Sequence, residues 1–192
     1  GKTEFTGGGL KEEVKVNSIA LAVPSTQIAA GKKVRIEAAV LPENAKNRNI
    51  KWESSNPKYA VVSAGGVVTT KKAGAGKKVT ITASALDQSG KSGSVTLKLM
   101  KNGVKKIQIV KPPKQIKAGK NIKLKTKVTG TGNGKNFNKK LRWTSSNPSY
   151  AAVDAKGKVK ALKAGAGKKV TITATALDGT NKKAKVKIKI VK

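Results

Sequence analysis

Gly74-Ala75-Gly76-Lys77 is the stretch of this chain that looks most like reactive chemistry, and Gly165-Ala166-Gly167-Lys168 repeats it. A glycine-rich loop ahead of a lysine cradles phosphate when it opens a helix and a Ser or Thr follows the lysine to hold magnesium. Here a second lysine follows, then Val-Thr-Ile-Thr, an alternating run that predicts a strand. The glycine spacing also fails the phosphate-loop pattern. The stretch reads as a turn that feeds a strand.

Other routes to catalysis are thin. The chain has no His and no Cys, which removes the commonest general base, the commonest metal ligand, thiol nucleophiles and disulfides. Its carboxylates number nine, and only Asp87 recurs between the repeats, as Asp178. Both stand where a strand gives way to a turn, the place where Asp bonds its own backbone. Trp52 and Trp143 have the chemistry of sugar-stacking platforms. Their repeat-equivalent places on alternating strands predict core packing between two sheets instead. Tyr59 and Tyr150 are expected at the core edge with the hydroxyl towards solvent. No catalytic residue, cofactor site or metal site is assigned, and the chain is read as a non-enzyme.

Charge is the feature left over. The 192 residues carry 42 Lys and Arg against nine Asp and Glu, a formal net charge of +33. Residues 17–101 hold 14 basic and four acidic residues, whereas residues 102–192 hold 25 and two. A small domain needs a net charge of magnitude about 2–8 for solubility, so the second half exceeds what solubility asks. Its lysines fall at alternate positions of two predicted strands, Lys123, Lys125 and Lys127, then Lys185, Lys187 and Lys189. Lysine on outer faces and edges blocks strand-to-strand aggregation. At this density it also creates a potential that attracts polyanions. Lys135, Lys139 and Lys140 join the candidate polyanion site from the glycine-rich loop Thr129–Lys140, where Phe137 is a candidate exposed contact or a pin for its own loop.

These residues are carried by a tandem repeat. Lys72–Ala83 returns letter for letter as Lys163–Ala174, an offset of 91, so the repeat is read before anything else. Val34, Ile36, Ala38 and Val40 alternate with polar positions, as do Ile122, Leu124, Thr126 and Val128, and both patterns predict half-buried strands. Pro24 and Pro112 confine the first strand of each repeat to a sheet edge or a bulge, and an edge strand that bends at Pro24 is expected. Ser-Ser-Asn-Pro after each Trp stops the strand that carries it. About seven short strands per repeat, with turn signals every 8–12 residues or so, predict an all-β chain of two tandem immunoglobulin-like β-sandwiches. The expected boundaries are 1–15 for a flexible lead-in, 16–101 for the first domain and 102–192 for the second. Lys101-Asn102-Gly103 is too short a joint for wide swing.

The string Trp-x-Ser-Ser-Asn-Pro, then Val-x-x-x-Gly-x-Val, then Lys-Ala-Gly-Ala-Gly-Lys-Lys-Val-Thr-Ile-Thr-Ala resembles the bacterial immunoglobulin-like domains of group 2. Trp52–Ala83 and Trp143–Ala174 carry the resemblance, and Asp154–Ala161 is the closer match to the family hairpin; Ala64–Thr70 departs from it. The resemblance implies modules that occur in tandem on bacterial surface proteins, including intimin- and invasin-like adhesins and Gram-positive wall proteins. It implies an extracellular place, at the cell surface or secreted, and a role as stalk, adhesion or cell-wall-associated interaction domain. Neighbouring domains of a longer surface protein are the first expected partners. The alternative is binding of teichoic acid, acidic polysaccharide or glycosaminoglycan by the second domain. Nucleic acid is expected to bind only non-specifically, since aromatics make up 3% of the chain and stacking platforms are scarce. No run approaches the roughly 18 apolar residues of a membrane span, so no membrane insertion is expected. Some members of the family bind calcium. The few scattered carboxylates here cannot supply the roughly 6–8 oxygens of such a site, and that property is not carried over.

Overall fold

The strands alternate apolar with polar residues and are cut by Gly, Pro and Asn, so the chain has no choice but to pair short strands and bury one face of each. The computed structural model describes residue 1 and residues 8–192. The first part of the expected lead-in, residues 2–7, lies outside the described residues. Its last part is tied down: the Lys46 N–H donates to Val14 O at 2.9 Å, and the Lys46 ammonium pairs with Glu13.

The first domain runs β1 (Ser18–Ala22), β2 (Gln27–Ala29), β3 (Lys33–Arg35), β4 (Glu37–Leu41), β5 (Ile50–Ser54), β6 (Ala60–Val62), β7 (Val67–Thr70), β8 (Lys78–Ala85) and β9 (Ser92–Met100). The second repeats it as β10 (Val104–Val110), β11 (Gln115–Lys117), β12 (Asn121–Lys123), β13 (Lys125–Gly130), β14 (Leu141–Ser145), β15 (Ala151–Val153), β16 (Lys158–Ala161), β17 (Lys169–Ala176) and β18 (Lys183–Val191). Nine segments replace the seven expected because two strands break in each repeat. Pro24 and Ser25 part β1 from β2, and the chain changes sheets there: β1 pairs antiparallel with β4, while β2 pairs parallel with β9. Ile36 parts β3 from β4, with its N–H bonded to Gly66 O in the hairpin ahead of β7.

One sheet of the first domain has the order β2-β9-β8-β5. Against it lie β3-β7-β6 and the β1-β4 pair. The second domain has the same arrangement. The apolar members of each alternating strand meet between the layers. Ile28, Ile36, Ile81, Leu97 and Leu99 are fully buried in the first domain, and Ile172, Ile188 and Ile190 in the second.

Each domain has two neighbouring clusters of buried side chains, and in each the tryptophan touches both. Trp52 spans from Val68 and Leu97 to Val40 and Ala83. The tight hairpin over its ring explains Gly66: with φ of +79, a Cβ there would sit 2.9 Å from Trp52 Cζ2. Gly157 stands in the same relation to Trp143, at 2.8 Å. The tryptophans are core residues, as their strand positions predict.

The strand β9 also fixes the direction of the chain. Ser92 pairs with Ser84 beside the Asp87 turn, at what we call the upstream pole. Met100 pairs with Ala29 at the other end, the downstream pole, where the chain leaves for the second domain. Nine residues at about 3.3 Å each separate the poles by roughly 30 Å. Each domain is entered at one end and left at the other.

Candidate functional site

The glycine loop offers no phosphate cradle. Lys72–Gly74 forms a single 3₁₀ turn, and the backbone donors are all used within the protein. Gly74 N–H bonds to Lys71 O, Ala75 N–H to Lys72 O, Gly76 N–H to Leu99 O at 2.7 Å, and Lys77 N–H to Gly74 O. Gly74 is buried because a Cβ would lie 2.5 Å from Leu99 Cδ1 and 2.8 Å from Tyr59 Cβ. Gly165 is held in the same way by Ile190 and Tyr150. The exact repetition of this stretch is a packing requirement.

Asp87 and Asp178 do more than cap a turn. Asp87 Oδ1 accepts the Ser89 N–H at 2.9 Å, as predicted, and its Oδ2 accepts the Val16 N–H at 2.6 Å. The Ser89 hydroxyl, first, and then the Val16 N–H hold its carboxyl below the ordinary range. Asp178 makes the same pair of bonds to Thr180 and Val104. The difference lies in the surroundings. Asp178 is completely buried, because the downstream pole of the first domain sits on it.

That joint adds Ala29, Ser25, Gln27 and Asn138 to the Asn102-Gly103 link named above. Ala29 N–H donates to Asp178 O at 2.8 Å. The buried Asn138 amide donates to Ser25 Oγ and to Gln27 O, both at 2.9 Å. The Asn102 side chain in the linker donates to Lys135 O at 2.7 Å, and Gly103 exchanges bonds with Thr131. The loop Thr129–Lys140 therefore wraps the linker. The signal was present in the sequence, as three residues inserted in this loop where the repeat offset grows from 88 to 91, but its partner was not.

Of the two roles open to Phe137, exposed contact and pin for its own loop, its packing matches the pin. The ring is half-buried against Gly130, whose Cβ would meet it at 2.4 Å, and packs with Val104, Ile107, Val128 and Leu141. It pins the loop to the core. Lys139 lies over the ring, with its Nζ 5.5 Å from the centroid.

All nine candidate lysines are exposed. They do not form one site. Lys185, Lys187 and Lys189 share the outer face of the β11-β18-β17-β14 sheet, where Lys183 extends the column and Lys169 faces Lys189. Thr171, Thr173 and Thr175 run alongside, opposite Lys187, Lys185 and Lys183. Lys125 and Lys127 lie on β13, which pairs with β10 in the other layer. Lys123, on β12, faces Lys158 and neighbours Asp154. Lys135, Lys139 and Lys140 belong to the loop at the joint.

The equivalent sheet face of the first domain is less basic, with Lys51, Lys78 and Lys98 against Glu53. Its β9 places Ser92, Ser94, Thr96 and Lys98 where β18 has four lysines. Glu53 on that sheet pairs with Lys51 at 2.9 Å. Among the described residues, the ion pairs that form are Lys51–Glu53 within the first domain and Lys46–Glu13 between that domain and the lead-in.

No group of Asp and Glu among the described residues is placed to hold a metal ion. No helix among them is long and apolar enough to cross a membrane.

Comparison with known proteins gives two matches to one family model, "Bacterial Ig-like domain (group 2)", at residues 15–97 and 103–188. An uncharacterized protein of Clostridium acetobutylicum is 30% identical over 154 residues, 80% of this chain and 15% of that protein. A kappa-carrageenase of Pseudoalteromonas carrageenovora is 36% identical over 61 residues, 32% of this chain and 15% of the enzyme. The chain thus spans less than a sixth of either relative. Similar solved structures include the surface layer protein SbsC, domains 1–6, at 15% identity and a TM-score of 0.39, covering 94% of this chain and 28% of that one. A C-terminal intimin fragment in complex with the intimin-binding domain of its translocated receptor aligns at 20% identity and a TM-score of 0.34, covering 93% and 64%.

Proposed function

We propose, since the chain belongs to the family of group 2 bacterial Ig-like domains, that it is a non-enzymatic stalk or adhesion segment of a bacterial cell-surface or secreted protein. The observation that carries this is the placement of the poles. Each domain is entered at its Asp turn and left at the far end of its longest strand, and the two are joined end to end through a buried contact. Such a pair adds length in one direction and passes load along β9 and β18. The partners in this reading are the neighbouring domains of a longer surface protein. Antibody raised against the chain should label intact cells of the organism that encodes it. Labelling only after the cells are opened would overturn the surface role. Small-angle scattering should give an elongated particle of about 60 Å or more, two strands of roughly 30 Å laid end to end; a compact globule would overturn the stalk.

A second reading is favoured by one feature, the replacement of Ser92, Ser94 and Thr96 by Lys183, Lys185 and Lys187 on the same sheet face. Lysines at every second residue stand about 6.7 Å apart, a column of point charges suited to a linear polyanion such as teichoic acid, acidic polysaccharide or glycosaminoglycan. Binding of this kind falls steeply with salt. Titration with these polymers between about 50 and about 300 mM salt tests it. Affinity that does not change with salt would overturn it.

A further inference from the structure

The joint between the domains is a close fit of backbone to backbone, and two glycines make it so. Gly179 has φ of +89, and a Cβ there would lie 2.9 Å from Lys32 Cβ and 2.9 Å from Lys33 O. A Cβ on Gly103 would lie 3.0 Å from Ala29 Cβ. Contacts this short against main chain cannot be relieved by turning a side chain, so a larger residue at position 179 forces the domains apart. On the opposite side Ala29 and Ser25 are both buried. Ala29 brings its N–H to Asp178 O only because its side chain is a methyl group.

The repeat supplies the control. The first domain has its own upstream pole, with the same Asp turn. Leu86 is 53% exposed there, while its counterpart Leu177 is half-buried in the joint. Asn47 stands where Asn138 does and makes the same turn bond, to Asn49 N–H. The receptive groups are therefore present at this pole too. The glycines are not. Gln88 occupies the Gly179 position in the same left-handed conformation, φ +64, and Lys15 occupies the Gly103 position. At the downstream pole of the second domain, Lys117 replaces Ala29 and Pro113 replaces Ser25. Both outer poles depart from the small residues of the inner poles: Gln88, Lys15 and Lys117 are long, and Pro113 has no hydroxyl to accept an amide N–H as Ser25 does from Asn138.

We propose that these positions encode which domain may sit on which. The upstream pole of the second domain is an interaction surface selective for an Ig-like pole with Ala at position 29, and the two domains form one rigid body. Neither outer pole supports the same close joint, so a second copy of the chain does not extend this body head to tail, and any neighbour at these poles is held at a greater distance. Gly179 and Ala29 lie off the outward lysine column of β18, so this selectivity does not depend on that column.

The test transplants the outer residues into the joint of the whole chain, as Gly179→Gln and separately Ala29→Lys. Amide exchange and residual dipolar couplings are the readouts. In the parent chain the Ala29 amide is protected and both domains share one alignment tensor. Each variant is expected to speed Ala29 exchange by about tenfold or more, as local opening of the contact requires, and to split the couplings into two tensors. Chemical shifts away from the joint stay unchanged. One shared tensor with a protected Ala29 in both variants overturns the proposal. So does unfolding of the second domain by Gly179→Gln, because the first domain folds with Gln88 at the equivalent position.

Discussion

Asp178 Oδ2 accepts the Val104 N–H at 2.7 Å across 74 residues of chain, closing the last turn of the domain onto its first strand. Asp178 Oδ1 accepts from Thr180 N–H at 3.0 Å and from the Thr180 hydroxyl at 2.6 Å. Removing a buried acceptor of three bonds leaves those donors without a partner. Asp178→Ala is expected to lower stability by about 2–3 kcal/mol, the scale of hydrogen bonds to a charged group with the donors left dry. Asp178→Asn should recover only part of it, since an amide nitrogen cannot accept the Val104 N–H. Urea denaturation of both variants measures the difference. Equal stability of Asp178→Ala and the parent would refute the clamp.

Asp87 makes the matching bonds in a more open setting, and its carboxyl is held below the ordinary range by the Ser89 and Val16 bonds. Asp154 is lowered too, chiefly by the Lys158 N–H. A folded value depressed below the unfolded one adds stability that is present above the unfolded value and lost as pH falls through the folded one. Stability should therefore hold from neutrality down to about pH 4, the ordinary carboxylate range, and fall below it. Asp87→Asn should be less stable at neutral pH and show a shallower acid decline. Thermal melts between pH 7 and pH 2.5, roughly the span of the carboxylate transition, read both effects.

Adjacent glycines in the first hairpin should respond in opposite ways. Gly66 has φ of +79 and no room, with Ile36 O at 2.7 Å and Trp52 Cζ2 at 2.9 Å from its would-be Cβ. Gly66→Ala is expected to destabilise the domain by about 2–4 kcal/mol, from overpacking added to the left-handed backbone. A Cβ on Gly65 meets only Ser63 Oγ, at 3.9 Å. Gly65→Ala should be neutral or gain up to about 1 kcal/mol by restricting the unfolded chain. Melting temperatures of the two variants decide it, and similar losses would count against the argument from Trp52.

What was legible in the sequence is what alternation and repetition encode. Val79, Ile81 and Ala83 alternate with threonines, and this sufficed to place them on the buried face of a strand. Trp52 and Trp143 were placed in the core because each sits on such a strand. The sheet switch between β1 and β2 was half visible: Pro24 marked an edge, but pairing of Gln27–Ala29 with Lys98–Met100 is a contact across some 70 residues that no local pattern carries. The joint was illegible for the same reason. Nothing in the local sequence sets Asn138 apart from other loop asparagines, or Gly179 from other turn glycines, because their partners Ser25 and Lys33 lie in the other domain. For Phe137 the sequence left two readings open, an outside contact and a pin for its own loop; it packs on Gly130, seven residues away, through a turn whose shape its own sequence did not dictate.

The lysine column on β18 permits a last prediction that separates charge from fold. Lys183, Lys185 and Lys187 lie outward on a strand whose inward residues, Val186, Ile188 and Ile190, are buried. Replacing the three lysines by the Ser, Ser and Thr of the first domain leaves the inward face untouched. It also copies a surface that already pairs with Ser84, Thr82 and Thr80 on β8. The triple variant should therefore fold with a stability within about 0.5 kcal/mol of the parent, as outward substitutions do. It should lose three of the point charges that displace counterions from a linear polyanion. The slope of log affinity against log salt should fall in magnitude by about 2–3, at roughly 0.7–0.9 per charge. Titration with a phosphodiester polymer at several salt concentrations measures that slope. An unchanged slope would mean that this face does not meet the polymer, and the search would pass to Lys123, Lys125 and Lys127 in the other layer of the sandwich.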